Sequence, residues 1–221
     1  MKLKNKFIIV VPVFNNKDLI VSCLDSIINQ TYDDLGLIIR DDMSTDGTGD
    51  IIETYLRDKG GDIIFIRNKK KLYPVGNTYE SVIEYVEDPE SIIGVVDGDD
   101  RLVSNDAVKK IMEVYETQGK WMVWSQHQNT DGSRGQSMSL PPDSVIYNNR
   151  NYWSTSHFRT SKAGLFFKIK KDDIIDPFVP ESYYTFSGDA AFLFPFCEMC
   201  GNDKSFFLNE TFSSFGPIIT E

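Results

Sequence analysis

The chain has 221 residues, 41% hydrophobic and 25% charged, with a formal net charge of −10. This is the length of one domain and the balance of an ordinary globular protein, and the negative charge argues against a nucleic-acid or anionic-membrane binder, which needs clustered Lys and Arg. The apolar run after the basic Met1–Lys6 start is only strand-long and meets Pro12, and no stretch approaches the ~20 apolar residues of a membrane span. Cys23, Cys197 and Cys200 are the only cysteines. With no secretory leader, they indicate a reducing, cytoplasmic setting.

Phe7–Val11 is a continuous apolar run and predicts a buried strand. Leu19, Ile20, Cys23, Leu24, Ile27 and Ile28 then recur at helical spacing, with Asn15, Asn16 or Asp18 available as a cap. Leu37–Ile39 is the second strand. Ile51, Ile52, Tyr55 and Leu56 mark a helix after the turn at Ser44–Gly47. Ile63–Ile66 is the third strand, Tyr79–Val86 a third helix opened by Gly76–Asn77, and Ile92–Val96 the fourth strand. A helix over about 105–118 and a strand at Trp121–Trp124 follow. Residues 127–162, rich in Ser, Asn, Gln, Gly and Arg, read as a long loop or lid. Gly164–Ile169 looks like a strand. Gly188–Cys200 is helical in pattern, with Pro195 expected to kink it or delay its start. Phe206–Phe212 is a last strand.

Such alternation predicts one α/β domain over 1–221, a Rossmann-like, mainly parallel sheet flanked by helices. Ligands of these sheets sit outside the carboxyl ends of the strands. The polar clusters Pro12-Val13-Phe14-Asn15, Asp41-Asp42 and Asp97-Gly98-Asp99-Asp100 all follow strand ends and are expected at one edge. Taken alone, the last cluster reads as an acidic turn. Its place at the end of a buried strand also fits a site for Mg²⁺ or Mn²⁺, which take hard oxygen ligands and bridge them to phosphates.

Together, "FIIVVPVFNN", "IIRDDMSTDGT" and "VVDGDDRL" resemble the family 2 glycosyltransferases of the GT-A fold in order and spacing. "GDAAFLFPFCEMCGNDKSFFLNETFSSFG" resembles the family's segment of catalytic acid, helix, glycine turn and closing strand. The resemblance implies a metal-dependent, inverting transferase that moves a sugar from a nucleoside diphosphate, expected to be UDP, to a glycan or lipid-linked acceptor. It makes 1–104 the nucleotide-sugar half and 105–221 the acceptor side. Carried over residue by residue, Pro12 to Asn15 would line the nucleotide pocket and Asp41 would accept from the uracil ring; the alternative for Asp41 and Asp42 is capping of the loop around Ser44, Thr45 and Asp46. Asp97 and Gly98 would lie at the ribose and metal, Asp99 would hold the ion, and Asp100 would share either role. Asp189 would be the base, although Gly188 stands where the family usually has Glu. No His follows Phe206 to serve as the further ligand found in many such enzymes, so Asp99 and the diphosphate would hold the metal.

Other signals carry two readings. Lys71, in Lys69–Lys71, offers a cation near the nucleotide or a solvated turn. Gly76–Asn77 offers backbone N–H groups to phosphate or plain capping. His157 and Arg159, in "SHFRTSKAGLF", suit the acceptor and a diphosphate fork, or an ordinary loop. His127 and the Cys197/Cys200 pair are assigned to packing, as are Trp121 and Trp124; Trp153 is the better acceptor platform, ahead of Tyr152. The rival functions are a non-catalytic nucleotide- or sugar-binding module of this fold and a sugar-1-phosphate nucleotidyltransferase. The second lacks its glycine- and arginine-rich loop after the first strand. No Gly-x-Gly-x-x-Gly supports a dehydrogenase.

Overall fold

The computed structural model describes residues 2–143, 154–179, 181–185 and 188–216. Eight strands form one sheet: β1 (Phe7–Val13), β2 (Leu35–Asp41), β3 (Asp62–Arg67), β4 (Ile92–Val95), β5 (Arg101–Leu102), β6 (Met122–Gln128), β7 (Arg159–Lys162) and β8 (Ser205–Ser214). Their order is β3-β2-β1-β4-β7-β6-β8-β5. The β3–β4 side is parallel throughout, and β6 and β8 are parallel to each other. β7 runs antiparallel between β4 and β6, and β5 antiparallel on β8.

The helices are α1 (Ile20–Ile28), α2 (Thr48–Leu56), α3 (Tyr73–Tyr85), α4 (Ala107–Gln118), the short α5 (Ala163–Phe166) and α6 (Gly188–Lys204). Alternation along β1 explains the two-layer covering. Phe7, Ile9 and Val11 pack with Leu24 and Ile27 of α1 and Ile111 of α4. Ile8 and Val10 face Val82 of α3 and Phe192 and Phe196 of α6. Side chains at successive strand positions point to opposite faces, so a strand covered on both reads as unbroken apolar sequence.

Several expectations are corrected. Gly164–Ile169 is not a strand: its first residues form α5, where Ala163 and Gly164 donate N–H bonds to the Ser91 and Pro89 carbonyls (2.8 and 2.9 Å) and turn the chain off the sheet. The strand lies just before it, in the polar run Arg159–Lys162, inside the segment read as a loop. α3 starts at Tyr73, so Gly76 and Asn77 sit in its second turn, where their N–H groups are no longer the free ones of a helix start. In α6, Pro195 is an interior residue and the non-helical position is Gly201 (φ 52°). Tyr152 and Trp153 lie outside the described residues.

Gly94 shows how tightly the centre is built. A Cβ there would stand 2.6 Å from Phe158 Cζ and 3.0 Å from Phe7 Cε1, both rings fully buried. Gly94→Val is expected to cost ~1–3 kcal/mol of overpacking, lowering the melting temperature by about 3–10 °C. A thermal melt checks this, and an unchanged midpoint would mean that the two rings can yield.

Candidate active site

The carboxyl ends of β1 and β4 are stitched together beyond the last ladder bonds. Val96 N–H donates to the Val10 carbonyl and Gly98 N–H to that of Pro12, both at 3.1 Å, and Asp100 N–H closes the turn onto Asp97 (2.9 Å). A Cβ on Gly98 would meet Val13 Cγ2 at 2.9 Å and Asn16 Oδ1 at 3.1 Å, so the acidic turn can lie against β1 only with glycine there. Register does the rest. Arg159 of β7 pairs with Val95 of β4, which sets His157 and Arg159 beside the carboxylates across 60 residues of chain.

His157 Nε2 lies 3.3 Å from Asp97 Oδ2 and 3.7 Å from Asp100 Oδ2. One ligand atom from each of these three residues falls within 4.8 Å of the others. Arg159 Nη2 is 2.8 Å from His157 Nε2 and 3.9 Å from Asp97 Oδ2, while Nη1 is paired with Asp189. Neutral Nε2 can donate to Asp97 or accept from Arg159, not both. Guanidinium only donates, and its contact is the shorter. The Nε2 lone pair and two carboxylates therefore converge, a mixed N,O donor set fit for a divalent metal ion. His157 Nδ1 is buried without a hydrogen-bond partner among the described residues.

The charges agree with that reading. Burial, then the charges of Asp97 and Asp99, push the Asp100 carboxyl up to about 8. Burial works against Asp97 too, yet this carboxyl is held below its usual range; with His157 neutral and its Nε2 turned to Arg159, the stabilising charge is that of the Arg159 guanidinium, 3.9 Å away. Burial and the neighbouring Arg159 lower His157, which is therefore neutral at pH 7. Burial, followed by the three aspartates, raises the Cys23 thiol and keeps it protonated.

Asp97 also borders a cleft of about 610 Å³. Among the expected site residues, Pro12, Val13, Phe14, Lys71, Asn77, Gly98, Asp99 and Asp189 line it as well. Asn15 and Asp41 do not: Asn15 is tied to Ser44 and Thr45, and the buried Asp41 accepts from Ser44 N–H (2.9 Å). Their places in the lining are taken by Asn16 and Asp42. Asp42 is 2% exposed and already saturated, accepting from Asn68 Nδ2, Leu72 N–H and Tyr73 N–H at 2.8–2.9 Å. It organises the cleft wall. Lys71 Nζ sits over the Phe14 ring, 2.8 Å from its centroid, and Lys69 and Lys70 are solvated. Asp100, His157 and Arg159 stand behind Asp97.

Gly188 lines the cleft as well, and so do Tyr73, Pro74, Tyr184 and Thr185, which carried no sequence signal. Phe215 is another: its ring meets His157 edge-on at 4.7 Å and His127 at 4.5 Å. His127 is buried against this pair, and Cys197, Cys200 and Trp124 are core residues.

The family model for glycosyl transferase family 2 matches residues 8–173. The chain belongs to glycosyl transferase family 2. Glycosyltransferase GlyG of Streptococcus pneumoniae is 27% identical over 128 residues, 58% of this chain and 40% of that protein. The match thus spans less than half the length of this relative. TarS 1–349 of S. aureus, solved with UDP-GlcNAc, superposes with a TM-score of 0.68 at 18% identity, covering 100% of this chain and 60% of that one. Glucosyl-3-phosphoglycerate synthase of Mycobacterium tuberculosis, solved with Mn²⁺, UDP and glucosyl-3-phosphoglycerate, gives 0.62 at 16% identity, covering 96% and 72%. At these identities the likeness establishes the GT-A fold. A glycosyltransferase domain is accordingly what the α/β architecture carries, and among its described residues no helix is long and apolar enough to cross a membrane.

Proposed function

We propose that this glycosyltransferase domain moves a sugar from a nucleoside diphosphate, a UDP-sugar, to a hydroxyl of a glycan or lipid-linked acceptor, with inversion and with Mn²⁺ or Mg²⁺. The observation that carries the reading is the convergence of Asp97, Asp100 and His157 behind a cleft that Asp97 and Asp189 both line. The two carboxylates suit either ion and the imidazole favours Mn²⁺ over the harder Mg²⁺, and the raised Asp100 carboxyl is the mark of negative charge that a cation would compensate. Asp97, Asp100 and His157 would hold it, with Asp99 exposed at the cleft rim toward the phosphates. Bound there, the ion would act as a Lewis acid on the leaving diphosphate.

This chain's residues supply the remainder. Pro12 to Phe14, Asn16 and Lys71 offer a wall to the nucleoside end. Asp189 takes the proton from the acceptor hydroxyl as its oxygen attacks the anomeric carbon and the sugar–phosphate bond breaks. The reading divides the work between a donor half, 1–104, and an acceptor half, 105–221, that also contributes His157, Arg159 and Asp189. UDP and UDP-GlcNAc in TarS, and Mn²⁺ with UDP in the mycobacterial synthase, support the choice of nucleotide and ion. Three free, buried thiols fit a reducing compartment and hence the cytoplasm.

Calorimetric titration with UDP, GDP and dTDP, each in Mn²⁺ and in EDTA, tests the proposal. UDP binding is expected in Mn²⁺ and is lost in EDTA. If no nucleoside diphosphate binds under either condition, the donor-site reading fails and a non-catalytic module of the same fold takes its place.

A further inference from the structure

We infer that Arg159 and the divalent cation compete for the same ligand atoms, and that this competition couples metal uptake to nucleotide uptake. The inference rests on the donor-site reading above and assigns a positioning role to one side chain.

Arg159 Nη2 contacts His157 Nε2 at 2.8 Å and stands 3.9 Å from Asp97 Oδ2. These are two of the three ligand atoms that converge. An imidazole nitrogen has one lone pair, so Nε2 cannot accept from guanidinium and coordinate an ion together. Arginine does not deprotonate to relieve the conflict, and a full positive charge beside the ion repels it. A cation that takes His157 as ligand must therefore move the Arg159 side chain.

The backbone cannot follow. Arg159 is paired with Val95 of β4 on one side and Trp124 of β6 on the other, so only the side chain turns. Nη1 is tethered to Asp189, which lines the cleft. The chamber beside Arg159 shares Pro74, Asp97, Gly188 and Asp189 with that cleft, so the freed Nη2 has adjoining space on the cleft side. A diphosphate in the cleft would meet it with the planar, two-pronged geometry that guanidinium suits. Metal alone thus binds against the arginine; metal with diphosphate gives the arginine a new partner. By linkage, each ligand tightens the other by one common factor, typically about 5–150-fold.

The test is Mn²⁺ binding to wild type, Arg159→Gln and Arg159→Lys, each with and without UDP, followed by calorimetry and by the electron paramagnetic resonance signal of free Mn²⁺. In Arg159→Gln, Mn²⁺ alone is expected to bind about tenfold tighter than in wild type, while the enhancement by UDP shrinks to roughly threefold or less. Lysine keeps the charge but cannot fork between Asp189 and His157, so its Mn²⁺ affinity is expected between the two. If the glutamine variant melts below the assay temperature, the lysine variant carries the comparison. Unchanged, weaker or undetectable Mn²⁺ binding in these variants overturns the inference, because Arg159 would then support the cluster. Wild type that binds no UDP defeats the donor-site reading instead, and the Mn²⁺-only comparison still decides the role of Arg159.

Discussion

Asp189→Asn is expected to lower turnover by about 10²–10⁴-fold and to leave UDP affinity within about threefold. The residue stands in the first turn of α6, its side chain 45% exposed to the cleft. It owes that place to Gly188, where a Cβ would press 2.9 Å onto Val75 Cβ of α3. Asparagine has the same shape, and its carbonyl oxygen can still accept from Arg159 Nη1. What it cannot do is take a proton from an acceptor hydroxyl. The variant therefore separates the proton-transfer role from the anchoring of Arg159. UDP release in the presence of acceptor gives the rate, and calorimetry on the same preparation gives the affinity. Equal losses in both would make Asp189 an anchor for the arginine and remove it from the chemistry.

The parts of the fold that were legible in the sequence are those where one period dominates. β1 to β4 are covered on both faces, so their apolar runs are continuous, and α1, α2 and α4 repeat apolar residues on one side only. β7 was illegible because its pattern is polar. Thr160 is buried yet satisfied, its Oγ1 donating to the Val123 carbonyl (2.7 Å) and lying 2.9 Å from Tyr115 Oη. Paired on both edges, Arg159–Lys162 needs no apolar side chains to be a central strand. The same gap hid the link between His157 and the acidic turn, since only the Val95–Arg159 register joins them. The imidazole beside the carboxylates comes from the segment that reads as a lid, not from the stretch past Phe206.

Asp41 and Asp42 illustrate a finer limit. At the end of a strand, neighbouring residues point to opposite faces, so a one-residue choice decides which carboxylate reaches a cleft. Here Asp42 borders it and Asp41 turns to the loop at Ser44. Asp42 spends both oxygens on the chain that opens α3. Proximity to a ligand site and availability to a ligand are thus separate properties, and the sequence pattern reports neither at this position. The Asp97–Asp100 turn differs, because its carboxylates exceed the donors that the described residues supply.

Asp100→Asn is therefore expected to produce two opposite effects. Without metal it should raise the melting temperature; with metal it should weaken Mn²⁺ binding by about tenfold or more. The carboxyl is 6% exposed, beside Asp97 and Asp99, and burial followed by those two charges raises it to about 8. Its partner among the described backbone groups is Gly216 N–H, at 3.2 Å on Oδ1, and asparagine can keep that contact. A carboxyl whose folded pKa exceeds its ordinary value of 3.8 binds more protons in the folded state across that interval. Wild-type stability consequently falls as pH rises from about 4 to about 8, while the amide, which does not titrate, stays level. The gap between variant and wild type should be small near pH 4 and reach on the order of 2–5 kcal/mol above pH 8, about 5–15 °C in midpoint. Saturating Mn²⁺ should close it, since the ion stabilises only the protein that binds it. Melts across pH 4–9, with Mn²⁺ and with EDTA, check each part. A gap that does not change with pH would mean that the Asp100 charge is compensated within the fold, and the case for a cation at this turn would lose its electrostatic support.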